Sequence, residues 1–214
     1  MAISKVNFNS LNVTPTASKV LKFNSSNNGL EAGDVGGALV LLSTATASSS
    51  STIDFTSGID STYKEYIFKF IDIHPSTDQT FLSFQVDTGT NTNYNQTITS
   101  TFFQNYHAED GSAQSLGYNS SYDQAQGTGF QYITDRTGTD NDQTVAGTLH
   151  LFDPSSSTFV KHFMASSSCN EQSNYAIDVK VAGYVNTTTA LTRVRFKMNS
   201  GNIDAGTIKM YGVT

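Results

Sequence analysis

The sequence predicts an all-β fold: an antiparallel β-sandwich, jelly-roll in form, with an extended N-terminal arm. Three observations carry this. Charged residues make up 14% of the 214-residue chain, against a usual share of ~25%, and Ser, Thr, Asn, Gln and Gly take their place. Aromatic residues reach 11%, all Phe and Tyr with no Trp, too many for a disordered chain. Apolar positions alternate with polar ones at a period of two, and no stretch sustains the 3.6-residue stripe of an amphipathic helix. Helices are therefore expected to be short or absent.

Taken in order, residues 1–42 carry scattered apolar positions among Asn, Ser and Thr, ending in GGALVLL. They read as an arm whose Ile3, Val6, Phe8, Leu11, Leu21 and Phe23 are candidate anchoring residues. STATASSSST, residues 43–52, has no charge and no bulky side chain, which reads as a linker. Residues 53–214 form the sandwich domain.

FTSGIDSTYKEY, from Phe55, is a Gly-marked loop leading into YIFKFIDI, Tyr66–Ile73. The latter is apolar on both faces and so predicts a central strand with something packed on each side. FLSFQVD turns Leu82, Phe84 and Val86 to one face. GTLHLFD and TFVKHFMA read as a hairpin joined through DPSSS, where Pro154 pre-sets a turn. NYAIDVKVAGYV points Tyr175, Ile177, Val179 and Val181 inward and Asp178 and Lys180 outward. TRVRFKMN places Val194, Phe196 and Met198 opposite Arg193, Arg195 and Lys197, the pattern of a half-buried antiparallel strand. In SGNIDAGTIKMYGV, from Ser200, Ile208 and Met210 are expected in the core of a strand inserted beside an earlier one.

Several functions are disfavoured on chemical grounds. Net charge is −6, and no basic stripe is present to release counterions from phosphate, so no nucleic-acid partner is expected. The longest apolar run, ALVLL, is far short of the ~20 residues of a membrane helix, so no membrane partner is expected either. MAISKVNFNS lacks the apolar core of a signal peptide. Cys169 is the single cysteine, which rules out an intrachain disulfide and reads as a structural thiol rather than a nucleophile. Synthesis and folding in a cytosol are expected.

Few motifs carry chemistry. His74, His107, His150 and His162 show no metal-ligand spacing, although His150 and His162 could face each other across their hairpin. Asp135, Asp140 and Asp142 are spaced loosely like a calcium loop but lack its Gly and closing Glu. A solvated acidic turn is the simpler reading. No nucleophile elbow or phosphate loop is present. Glu65, Glu109, Asp110 and Asp123 are the carboxylates a glycosidase pair could draw on, and none is marked out. The reading is therefore no enzyme, no catalytic residue, no cofactor and no metal. The polar, Gly-rich stretch 105–144 carries Tyr106, Tyr118, Tyr122 and Tyr132. These are candidate recognition residues, because each ring offers rigid area with a polar tip; capping of the sandwich end is the competing reading.

Three stretches, SKVLKFNSSNNGLE (Ser18–Glu31), STIDFTSGIDSTYKEYIFKFIDIHPSTD (Ser51–Asp78) and LTRVRFKMNSGNIDAGTIKMYGV (Leu191–Val213), together resemble virion structural proteins of tailed bacteriophages, above all marine and cyanobacterial phages. The resemblance spans both ends of the chain and not its Tyr-rich middle. It implies a β-sandwich exposed on the virion, a homotrimer, attached by its N-terminal segment to other virion proteins of the capsid or tail and assembled in the host cytoplasm. Capsid decoration or head fibre is the leading role implied, and a tail-fibre or receptor-binding component that could meet a host-surface glycan is the rival. A soluble carbohydrate-binding module is the alternative from a different class.

Overall fold

The structure is a computed structural model that describes residues 19–26, 28–33 and 39–214. The candidate anchors Ile3, Val6, Phe8 and Leu11 lie outside the described residues. The chain divides into two compact units, Met1–Ala38 and Leu39–Thr214.

In the first unit, β1 (Val20–Phe23) pairs antiparallel with β2 (Leu30–Gly33), with Phe23 opposite Leu30. The turn is held by asparagine side chains: the Asn24 amide donates to Asn28 Oδ1 at 2.9 Å, and the Asn28 N–H returns a bond to Asn24 Oδ1 at 3.1 Å. Such local bonds are what Asn supplies where a chain reverses. Strand alternation places Leu21 and Phe23 on one face with their partners Ala32 and Leu30. Lys22 and Glu31 form a cross-strand ion pair at 3.5 Å on the other.

The second unit has thirteen strands: β3 (Leu39–Thr46), β4 (Ile53–Phe55), β5 (Glu65–Pro75), β6 (Leu82–Thr88), β7 (Ile98–Ala108), β8 (Gln114–Tyr118), β9 (Ala125–Gly127), β10 (Gln131–Tyr132), β11 (Val145–Phe152), β12 (Lys161–Glu171), β13 (Tyr175–Val185), β14 (Leu191–Met198) and β15 (Ile203–Val213). No helix occurs among the described residues. The strands form a large sheet, β3-β15-β5-β11-β12-β13-β7-β8 with β9 also on β7, and a small one, β10-β6-β14-β4. All pairings are antiparallel. The inner faces of the two sheets enclose one core, so the all-β sandwich expected from the sequence is present.

Phe196 of β14 sits at the middle of that core. Its ring meets Phe68 and Phe70 at 5.3 Å each, Phe55 at 6.2 Å and Phe84 at 6.5 Å, and Phe84 meets Phe163 of the opposite sheet at 5.0 Å. Offset and edge-on rings of this kind add to the ordinary gain of burial. Val194 and Met198 are buried beside Phe196 as the alternation requires. Ile208 and Met210 are likewise in the core, on β15 between β3 and β5.

YIFKFIDI is an internal strand of the large sheet, β5. Tyr66, Phe68, Phe70 and Ile73 face the core, which breaks strict parity between Phe70 and Ile73. Asp72 resolves the mismatch by adopting a positive φ of 52°, a bulge that slips the alternation by one residue. Opposite it, Gly206 has φ +109°, and a Cβ there would lie 2.4 Å from the Asp72 carbonyl oxygen, so no other residue fits. The outward face is covered only partly: Ile67 is buried, while Ile71 is 40% exposed.

Two expectations are corrected. Residues 43–52 are not a free linker, and the arm does not run to residue 42. Leu39–Thr46 is a strand paired with β15 in register from Thr46 opposite Thr207 to Leu39 opposite Val213. Beyond it, Ala47 and Ser49 donate backbone bonds to Gly206 and Asp204 at 2.9 Å each. Small, uncharged side chains suit this segment because Ala45 and Ala47 pack toward the core while Thr44 and Thr46 look outward. The unit boundary lies between Ala38 and Leu39.

The polar residues of β6 are also placed differently from their appearance in sequence. Ser83, Gln85 and Asp87 alternate with Leu82, Phe84 and Val86, yet all six are buried. Loops cover the outer face of the small sheet. Gln85 Nε2 donates to the carbonyls of Gln96 and Gly129 at 2.9 Å each, and Asp87 accepts from the Tyr94 N–H at 2.8 Å and from Gln96 Nε2 at 3.1 Å. The buried polar groups are therefore satisfied, as burial demands.

Candidate functional site

The structure separates the four candidate tyrosines into three places. Tyr122 and Tyr132 join Phe81 in a ring cluster, with Tyr132 stacked on Phe81 at 4.6 Å and Tyr122 edge-on to Phe81 at 4.8 Å and to Phe102 at 5.3 Å. They close one flank of the core, the capping role set against recognition. Tyr118 of β8 lies on the outer face of the large sheet, edge-on to Phe103 at 5.1 Å and hydrogen-bonded to Asp123. Tyr106 of β7 faces inward at the end of the sandwich, perpendicular to Tyr175 of β13 at 5.4 Å. The four do not form one recognition surface.

Tyr106 and Tyr175 border a cleft of about 340 Å³. The cleft lies on the inward side of β7 and β13 and is walled by loop residues. β7 contributes Gln104 and Tyr106, and β13 contributes Tyr175 and Ile177. β12 ends on Glu171 and the turn that follows adds Ser173, the loop after β10 adds Asp135 and Arg136, and Gln79 precedes β6. Alternation explains the two sheet pairs: Gln104 and Tyr106 share the inward face of β7, as do Tyr175 and Ile177 on β13.

The electrostatics are set by two buried carboxyls. Asp135 is 1% exposed and Glu171 5%. Burial pushes the Asp135 carboxyl up from its ordinary range and Glu171 adds to the rise, whereas the Arg136 backbone N–H and guanidinium pull it down. That N–H reaches Asp135 Oδ1 at 2.7 Å, and the Arg136 Nε lies 3.7 Å from the same oxygen. Glu171 Oε2 accepts the Ser173 N–H at 2.8 Å. At the rim, Gln79 donates its amide to Gln172 at 2.8 Å. The cleft thus presents acceptors and one cation beside aromatic surface.

The remaining candidates do not assemble. His150 lies opposite Met164, not His162, and its Nδ1 is 2.6 Å from Glu65 Oε1, whereas His162 packs against Tyr184 at 6.0 Å. Asp135 faces the cleft, while Asp140 belongs to the turn before β11. No group of three or more metal-ligating residues occurs among the described residues. Of the other carboxylates, Asp123 holds Tyr118 and Asp110 accepts the Ser112 N–H at 2.9 Å. Cys169 is buried, its thiol pushed up to about 12 by desolvation, which leaves no thiolate for nucleophilic attack near neutrality. Sequence reasoning placed Tyr175 inward but did not join it to Tyr106, and it missed Arg136 and Glu171. The strand parities of Tyr106 and Tyr175 carried the available signal.

No family model matches the chain, and no curated protein matches it. Among solved structures it is similar to a crystal structure of a protein of unknown function from Bacteroides ovatus, at 6% identity and a TM-score of 0.27, over 49% of this chain and 45% of that one. The chain thus matches less than half of that protein's length. No helix among the described residues is long and apolar enough to cross a membrane.

Proposed function

We propose that this chain is a non-enzymatic virion structural protein of a tailed bacteriophage, displayed on the particle as a capsid decoration or head-fibre protein and attached through its N-terminal segment. The observation that carries this reading is the β1–β2 hairpin. Leu21 is 40% and Phe23 70% exposed, on one face of a two-stranded ribbon. A ribbon of two strands is marginal alone in water and gains stability by packing its apolar face on something else. An exposed apolar hairpin ahead of a sandwich with a mostly neutral polar surface fits an anchor followed by a displayed knob. The resemblance of Ser18–Glu31, which contains this hairpin, to phage virion proteins supports the same assignment. A homotrimer and a jelly-roll form of the sandwich belong to this proposal.

The test is gold-labelled antibody against the chain on purified particles. Gold spread over the shell supports decoration. Gold confined to the tail selects the tail-fibre reading, in which the attachment partner is a tail protein. Particles that carry no gold, while the chain is abundant in infected lysate, overturn both. A Phe23→Asp chain that still joins the particle in full amount removes the hairpin as the anchor.

A further inference from the structure

The cleft at the end of the sandwich is independent of the hairpin and of where the chain is displayed. Its groups are incompletely used by the fold. Among the described residues the hydroxyls of Tyr106 and Tyr175 have no hydrogen-bond partner. One oxygen each of Asp135 and Glu171 is engaged, and the other is not. The Arg136 side chain is 46% exposed, with only its Nε directed to Asp135. A buried carboxyl is costly to retain unless something is gained by it, and packing alone would be served as well by an apolar side chain.

Size and chemistry narrow the ligand. The cleft, about 340 Å³, is at the small end of ligand sites, which run from roughly 300 to 1,000 Å³, and so suits one ring rather than an extended molecule. Two carboxyls repel a phosphate or another anion. A purely apolar ligand would strip water from those carboxyls and give nothing back. A molecule with an apolar ring face and a rim of hydroxyls satisfies every group. Its C–H face packs on tyrosine, its adjacent hydroxyls donate to Asp135 and Glu171, and Arg136 and Gln104 donate to its oxygens.

The geometry points to a binding site for a single neutral hexopyranose ring, held between the Tyr106–Tyr175 pair and the Asp135–Glu171 carboxyls. The perpendicular rings, 85° apart, allow one tyrosine to offer its face while the other braces it edge-on.

The experiment is an amide chemical-shift titration of the full chain with methyl glycosides of glucose, galactose and mannose in turn. Saturable shifts at residues 104–108, 135–136 and 171–177 with at least one sugar are expected, together with a loss of about tenfold in affinity for Tyr175→Ala. No saturable shift with any of the three up to roughly 10 mM, or shifts centred elsewhere, overturns the site. Should Tyr175→Ala fail to fold, the more exposed Arg136→Ala replaces it, and unchanged affinity in that variant overturns the site equally. The isolated chain is the reagent throughout, so this result and the particle-labelling result are read separately.

Discussion

Arg195 lies over the ring of Tyr94, 4.1 Å from its centre, and from there grips Asp54 through two hydrogen bonds of 2.7 and 2.6 Å. This stack clamps β4 to β14 at the edge of the small sheet, where only three rungs join them. Lysine can provide neither the fork nor the flat face. Arg195→Lys should therefore cost about 1 kcal/mol in denaturant unfolding, and an unchanged midpoint would remove the clamp from the account. Tyr94 Oη is wholly buried and has no hydrogen-bond partner among the described residues. Tyr94→Phe should leave stability equal or higher, since it removes an unpaired hydroxyl and keeps the ring.

Phe196→Ala should destabilise the protein by roughly 3–5 kcal/mol, because four rings lose their shared neighbour at once. Urea unfolding with a matched slope is the measurement. A cost below about 1 kcal/mol, the usual surface range, would contradict the register of β14.

A chain beginning at Leu39 should unfold in one cooperative step with nearly the stability of the full chain, because the boundary lies at Ala38/Leu39. One beginning at Ile53 loses β3, with Leu42 and Ala45 of the core margin, and leaves the edge of β15 open. It should lose about 2 kcal/mol or more and self-associate through that edge. Calorimetry and light scattering distinguish the two. Equal stability and monomeric behaviour would return residues 39–52 to the status of a linker.

Cys169 should resist a thiol reagent at pH 8 in the native protein and react fully once unfolded, since burial holds its thiol at about 12. Rapid labelling without denaturant would mean that β12 opens far more readily than its position inside the large sheet implies.

Asp135 makes stability depend on pH with a definite sign. Burial raises its carboxyl above the ordinary 3.8, so the folded state holds that proton more tightly than the unfolded one. Its contribution is complete below the unfolded value and is lost as pH rises through the folded one. Asp135→Asn removes this loss, so its stability relative to the parent should improve as pH rises from the ordinary carboxylate value of 3.8 toward neutrality. A difference that stays constant across that range would assign Asp135 an unperturbed carboxylate.

The strands that carry large alternating side chains were legible in the sequence. β13 and β14 follow their patterns because each has one face in the core and an outer face that is only partly covered. β3 was not legible, because Ser43–Thr46 lacks the bulky residues by which a buried face announces itself, and its partner β15 lies over 150 residues away. The alternation of β6 gave its inner face correctly but suggested a wet outer one. Loops that no local pattern announces cover Gln85 and Asp87. The cleft was hidden for the same reason. Its groups come from four separate stretches, and only the inward parity of Tyr106 and Tyr175 linked any two of them.

Leu39, where β3 begins, shares a rung with Val213, where β15 ends. Tension applied through the segment before Leu39 and resisted at Val213 would not shear the sheet along its strands. It would peel β3 from β15 one rung at a time, starting at that pair. Eight residues would come away first, releasing roughly 26 Å of extended chain, while β15 remained zipped to β5. Under such a load the sandwich would give by this increment before any force reached the ring cluster around Phe196.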